Sequence, residues 1–216
     1  MDTQTVVEAL TAWHEAHPEH DVSSLPAYIQ ERTPLAEAHA LAAVAKGDQT
    51  EVRRVNAMIG VAAKSSTTGK RIHWLQQAGQ VMADAYGPHA ACKAGCSHCC
   101  HIPVKITQAE AVHLGRQIGR KPMPVDKLPE EQIIKGYEAP CPFLVDNKCS
   151  VYKHRPTVCR THLNLDKDDL LCQLQPGMTV PVPYLDTRPL VAASFAILGP
   201  LQPIADIRRW FPTVAI

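Results

Sequence analysis

Apolar residues recur at helical spacing through the first ninety or so positions and lose that period afterwards. Val6, Val7, Leu10 and Trp13 predict a helix that stops at His17-Pro18. Leu35, Ala38, Leu41, Ala42 and Ala45 predict a second over about 35–46, ending at Gly47. Asp48 is placed to cap a third, whose stripe is Val52, Val55, Ile59 and Ala63 and whose end is the Ser65-Ser66-Thr67-Thr68-Gly69 break. A fourth is predicted over about 70–86, closing at Gly87-Pro88.

Beyond residue 100 the pattern changes, because 14 of the 18 prolines lie there and long uninterrupted elements are excluded. One helix survives. Thr107 and Glu110 form a capping box for about 107–119, with Ala111, Leu114 and Ile118 on one face. Short strands are expected at 142–146 and 149–152, a helical turn at 155–161 and a helix over 189–199. Residues 120–140 read as a connecting loop. The expected fold class is mainly α, with a helical N-terminal half packed on an irregular, Pro/Cys-rich metal-bound subdomain that has at most short strands. The expected division is a helical segment over 1–89, a cysteine-cluster metal-binding domain over 90–175, and a C-terminal extension over 176–216 with one or two helices packing on the core.

Composition narrows the function. A formal charge of +1 carries no electrostatic signature for nucleic acid, and 5% aromatic residues leave little for base-stacking platforms. The longest apolar stretch, Leu190 to Leu201, falls short of the ~20 residues of a membrane span. The opening MDTQTVVEAL lacks the basic and apolar regions of a secretory signal, so a cytoplasmic address is expected. The expected partners are then a protein, with neither membrane nor nucleic acid, and the substrate is not specified.

In a reducing compartment, eight cysteines point to metal ligands or reactive thiols rather than disulfides. The first group is Cys92, Cys96, Cys99 and Cys100; the second is spread over Cys141, Cys149, Cys159 and Cys172. Four thiolates crowded into one short run repel each other unless a cation offsets them, and Gly95 supplies the backbone freedom that a loop wrapping a metal needs. Metal binding would also order a segment too irregular to order itself, since metal-binding free energy becomes folding free energy. Structural zinc sites pair two C-x₂₋₄-C knuckles, and only the first group supplies one. Iron–sulfur clusters accept a tight run with distant cysteines. Cys92, Cys96 and Cys99 have radical-SAM spacing, but the proline-broken chain that follows is too short for that barrel.

The runs CKAGCSHCCHIPVKIT and APCPFLVDNKCSVYKHRPTVCRTH resemble the CxxCxxCC cysteine-cluster family, also called the YkgJ type, described as a zinc- or iron-chelating domain. The resemblance rests on Cys96, Cys99 and Cys100, then Cys141-Pro-Phe-Leu, Cys149-Ser-Val-Tyr152 and Arg155-Pro156-x-x-Cys159-Arg160, with Cys172 downstream, and covers about 90–175. It implies metal binding. Similar motifs occur in flagellin lysine N-methylases, a family associated with an iron–sulfur cluster, but no glycine-rich SAM-binding signature is present here, so methyl transfer does not carry over.

All eight cysteines are candidate ligands, with Cys96, Cys99, Cys100 and Cys159 first, Cys141, Cys149 and Cys172 next, and Cys92 as a ligand or a redox-active spare. Among His98, His101 and His162, the last is the strongest candidate to replace a thiolate. Arg155 and Arg160 are placed to offset a thiolate centre's charge or grip an anion, and Phe143 and Tyr152 read as core. His14, His17 and His20 read as a solvated helix end, and Arg208-Arg209-Trp210-Phe211 as a tail packing back through cation–π contact. The leading expectation is an iron–sulfur or iron centre used in cytosolic redox or modification chemistry. The alternatives are a zinc-stabilised, non-enzymatic protein-interaction module, or a metal storage or delivery protein. No catalytic acid or base stands out.

Overall fold

The computed structural model describes residues 22–47, 49–124, 140–173, 178–199 and 201–213. The first predicted helix, the Asp48 cap and the histidines at 14, 17 and 20 lie outside the described residues. The helices are α1 (Ala27–Ala45), α2 (Gln49–Lys64), α3 (Thr68–Tyr86), α4 (Gln108–Ile118), α5 (Thr157–Thr161), α6 (Arg188–Leu198) and α7 (Ile207–Trp210). The strands are β1 (Lys105–Thr107), β2 (Leu144–Val145), β3 (Lys148–Cys149) and β4 (Ile204–Asp206), in two antiparallel pairs, so the fold is mainly α. No described helix is long and apolar enough to cross a membrane.

The helix expected over 35–46 starts about two turns earlier and runs through Pro34. Its inward face also differs. Leu35 of the expected stripe is 62% exposed, while Ile29, Arg32, Thr33, Ala36 and Ala43 are buried. The reason is a polar partner far along the chain. The Arg32 Nε donates to Asp166 Oδ2 at 2.9 Å and its Nη2 to Oδ1 at 2.6 Å, a two-pronged pair with side chains only 8% and 1% exposed. Anchored on both sides of Pro34, the helix tolerates the missing N–H.

α2 and α3 lie much where the period predicts. Thr67 caps α3, its hydroxyl accepting from the Lys70 N–H at 3.3 Å. Ala62 of α2 packs with Ile72, Leu75 and Ala78 of α3 and with Leu190 and Leu198 of α6. Val52 and Ala63 of the expected α2 stripe are exposed, and Met58 and Ala62 turn inward instead. α3 is central: its other side holds α5 through Gly79, and Met82, Ala83 and Tyr86 pack against Leu163, Leu165 and Leu185.

The capping box forms as predicted. Glu110 N–H donates to the Thr107 hydroxyl, and the Thr107 N–H to the Glu110 carboxylate. Ala111 and Leu114 enter a core with Ile106, Phe143, Val151, Ala205, Trp210 and Phe211, and Ile118 packs at its edge. β1 pairs with β4 in the register Lys105↔Asp206, Ile106↔Ala205 and Thr107↔Ile204, bringing the C-terminal residues onto the cysteine segment. Trp210 and Phe211 pack back as expected, but the cation over Phe211 is Arg120, which also faces Phe143. Arg208 instead pairs with Asp206 and donates to the carbonyls of Cys100 and Ile102.

Candidate metal centre

Three local devices bring distant cysteines together. The loop from Cys92 to Cys100 turns at Gly95, whose φ of +90° is open to glycine at no cost, and then winds one 3-10 turn over His98–Cys100. The Cys141 N–H donates to the Cys100 carbonyl at 2.7 Å, locking the second cysteine group onto the first. Strands β2 and β3 form a two-residue hairpin at Asp146 and Asn147, both at positive φ, which sets Cys149 opposite Leu144. Ser97 donates to the side-chain oxygen of Asn147 at 3.2 Å and fastens the hairpin to the loop.

Cys159 sits on α5, and α5 is positioned from outside. Glu110 accepts from the Thr157 N–H at 3.2 Å, so one buried carboxylate caps both α4 and α5. Burial pushes its carboxyl upward against the hydrogen bonds that favour the anion. Arg160 is buried and fully committed to structure: it donates to the Arg155 and Lys153 carbonyls and to Gln80 Oε1. It is absent from the wall of the cavity that the cysteines enclose.

That cavity holds about 160 Å³ and is lined by Cys96, Cys99, Cys100, Cys141, Cys149 and Cys159, together with Arg155 and His162. Its remaining wall is largely apolar, with Val104, Phe143, Val151 and Ile207. Phe143 is core, as expected; Tyr152 is not, being 60% exposed with the Arg155 guanidinium stacked 3.7 Å from its ring centroid. The backbone N–H two residues on donates to the sulfur at Cys96, Cys141 and Cys149, from His98, Phe143 and Val151. Such donors favour a thiolate and tune any metal it binds. At Cys99, the Cys100 S–H lowers the thiol to about 7, and Cys100 is driven up in return. Burial and the neighbouring Cys141, Cys99 and Cys149 sulfurs raise Cys159 strongly.

Cys92 and Cys172 lie outside the cavity wall, on either side of Asn164. The Asn164 N–H donates to Cys92 at 3.4 Å and its side-chain amide to Cys172 at 3.2 Å. Burial, then the Cys92 sulfur, pushes Cys172 up to about 12. His162 lines the cavity with its ring 4.0 Å from that of Tyr184; its buried Nε2 has no partner among the described residues. Burial holds it down to about 4, so it is a neutral imidazole near pH 7, the form that ligates metals. The Arg155 Nε is likewise buried without a partner among the described residues, while its Nη1 donates to the Cys159 carbonyl. An orphan imidazole nitrogen, an uncommitted guanidinium edge and sulfurs with backbone donors all fit a thiophilic metal centre.

This donor set is the one the family comparison points to. Residues 91–175 match the model of the CxxCxxCC family, described as a putative zinc- or iron-chelating domain. The CxxCxxCC match spans both cysteine groups, so the segment is of a metal-chelating type. Neither the curated proteins nor the solved structures compared with the chain gave a match.

Several contributors escape sequence reasoning. Asn164 and Tyr184 hold the Cys92/Cys172 side, and Glu110 reads as a cap for one helix only. Asp169 comes within 3.4 Å of His98. Its one local signal is the acidic run Asp166-Lys167-Asp168-Asp169 lying between Cys159 and Cys172.

Proposed function

We propose that Cys99, Cys141, Cys149 and Cys159 hold an iron–sulfur cluster, and that the chain uses it in redox or modification chemistry in the cytoplasm. The carrying observation is that no three cavity sulfurs come together at single-ion spacing. A single zinc ion bound by four thiolates at ~2.3 Å holds them about 3.8 Å apart. Among the described residues, the group of three donors within 4.8 Å of one another contains one cysteine only, so no three of the cavity sulfurs stand together at that spacing, although Cys99 and Cys100 are paired by a hydrogen bond. A cavity of about 160 Å³ is also some ten times what one water-sized occupant needs. Both features favour a polynuclear centre over a lone ion.

When bound, such a cluster supplies one-electron transfer. The chain's own part is to exclude water with Val104, Phe143, Val151 and Ile207, to offset thiolate charge with Arg155, and to present the neutral His162. Cys100 remains a hydrogen-bond donor to Cys99 in this reading. The test is iron and acid-labile sulfide analysis of anaerobically purified protein, together with its visible spectrum. A brown protein that Cys99→Ser or Cys159→Ser bleaches is the expected result. A colourless protein holding zinc alone overturns it and turns attention to a zinc-stapled protein-interaction module.

A further inference from the structure

We propose a second metal site, outside the thiolate cavity's proposed set, formed by Cys96, His98 and Asp169 and suited to a divalent transition ion such as zinc. One donor atom from each lies within 4.8 Å of the other two. The His98 Nε2 stands 3.4 Å from Asp169 Oδ2, which is about the edge of a tetrahedron with ~2.1 Å metal–nitrogen and metal–oxygen bonds. One sulfur, one nitrogen and one oxygen suit a borderline ion, and three protein ligands leave a fourth position for water or substrate.

The three residues come from two separate segments, and each is held in place without the others. Gly95 and the 3-10 turn set Cys96 and His98, with the neighbouring Ser97 fastened to Asn147. Asp169 precedes the 3-10 turn Leu170–Cys172, and its carbonyl accepts the Cys172 N–H at 3.0 Å. Leu171 of that turn is buried against Leu25, Ile29 and Ala36, which anchors the turn on α1. The His98 and Asp169 side chains are 30% and 33% exposed, so an ion can enter and leave from solvent. This site therefore exchanges its metal with solvent.

The site shares the Cys96 side of the cavity wall but uses none of the four sulfurs proposed for the cluster. Cobalt(II) chloride, a coloured stand-in for zinc, is titrated into the full chain and into His98→Ala and Asp169→Asn, with circular dichroism to check that each variant is folded. The expected result is one cobalt equivalent lost, or weakened more than ~100-fold, in both His98→Ala and Asp169→Asn. Unchanged stoichiometry and affinity in His98→Ala and Asp169→Asn overturns the site and leaves a His–Asp contact only. If the purified wild type contains no iron or sulfide but still loses one cobalt equivalent on His98→Ala, the second site stands while the cluster reading falls.

Discussion

The α2–α3 pair and the cysteine segment are ordered by different means. Ala62, Ile72, Leu75 and Ala78 form a contiguous apolar layer, so no single contact decides whether those helices form. Among the described residues between Cys92 and Cys172 the regular structure is α4, the one-turn-scale α5, 3-10 turns, and strands two or three residues long. Order there comes from an apolar core shared with the C-terminal residues, where Phe143 and Val151 pack with Ile106, Trp210 and Phe211, and from particular hydrogen bonds to distant groups: Cys141 to Cys100, Thr157 to Glu110, Arg160 to Gln80, and Asp166 to Arg32. The helical pair rests on contiguous packing, whereas the cysteine segment adds to its core a few ties to distant groups and a metal-chelating set of sulfurs.

The largest effect expected from that contrast is on metal loss. Cys159→Ser should empty the cavity and open the cysteine segment to protease while α2 and α3 keep their helicity, because structural metal sites contribute on the order of 10 kcal/mol to folding. Limited proteolysis with mass spectrometry reads this directly. Cleavage spread evenly over both regions would erase the distinction.

Next in size is the clamp between α1 and the cysteine segment. Arg32→Ala leaves Asp166 buried without its partner, and the expected cost is about 3–5 kcal/mol in urea unfolding. Replacing both, Arg32→Met with Asp166→Leu, should cost far less, since a buried pair is weakly stabilising against well-packed apolar residues. Equal losses in the single and double variants would show that the site cannot repack.

How legible each region is in the sequence follows the same division. The Thr107–Glu110 box is local: donor and acceptor lie three residues apart, so a pattern four residues wide contains the whole interaction, and the Thr67 cap, which falls in the expected break before residue 70, is equally local. The face of α1 is not local. Arg32 lies ahead of the expected 35–46 helix, and its burial follows from Asp166, 134 positions away, beside which Leu35 of the expected stripe is left exposed. The pairing of β1 with β4 is hidden for the same reason. For the cysteines, residue type was enough to mark the chemistry, and spacing was not enough to sort them. Cys99, Cys141 and Cys159 meet from three segments, whereas Cys92 and Cys172 are drawn aside by Asn164, a residue with no motif of its own. Asp169 is found only because a turn anchored on α1 carries it to His98.

A smaller effect appears with acid in the metal-free chain. His162 is held near 4 by burial, below its ordinary 6.5, so the unfolded state takes up the proton first. Stability is therefore full above about pH 6.5 and falls by about 3 kcal/mol as pH drops toward 4. His162→Gln should flatten that slope in thermal melts across the range. A slope unchanged by the substitution would assign the acid sensitivity to other groups.

The smallest expected effect tests the seam between the two regions. A Cβ at Gly79 of α3 would meet the Thr161 methyl at 3.2 Å and the Thr157 methyl at 3.5 Å. Thr161 has little room to yield, because its hydroxyl donates to the Thr157 carbonyl at 3.2 Å and its χ1 is confined by branching. Gly79→Ala gains up to ~1 kcal/mol in helix propensity but overpacks the contact with α5, which costs about 1–3 kcal/mol. The net expectation is a loss of about 1 kcal/mol. Thr161→Ser removes the obstructing methyl and keeps the hydroxyl, so Gly79→Ala in that background should stabilise instead. A double-mutant cycle in urea measures the change of sign, and additive effects would mean that α3 and α5 are not in register through Gly79. Because α5 carries Cys159, the same single substitution should also loosen metal retention, linking the smallest packing change in the scaffold to the largest effect in the cysteine segment.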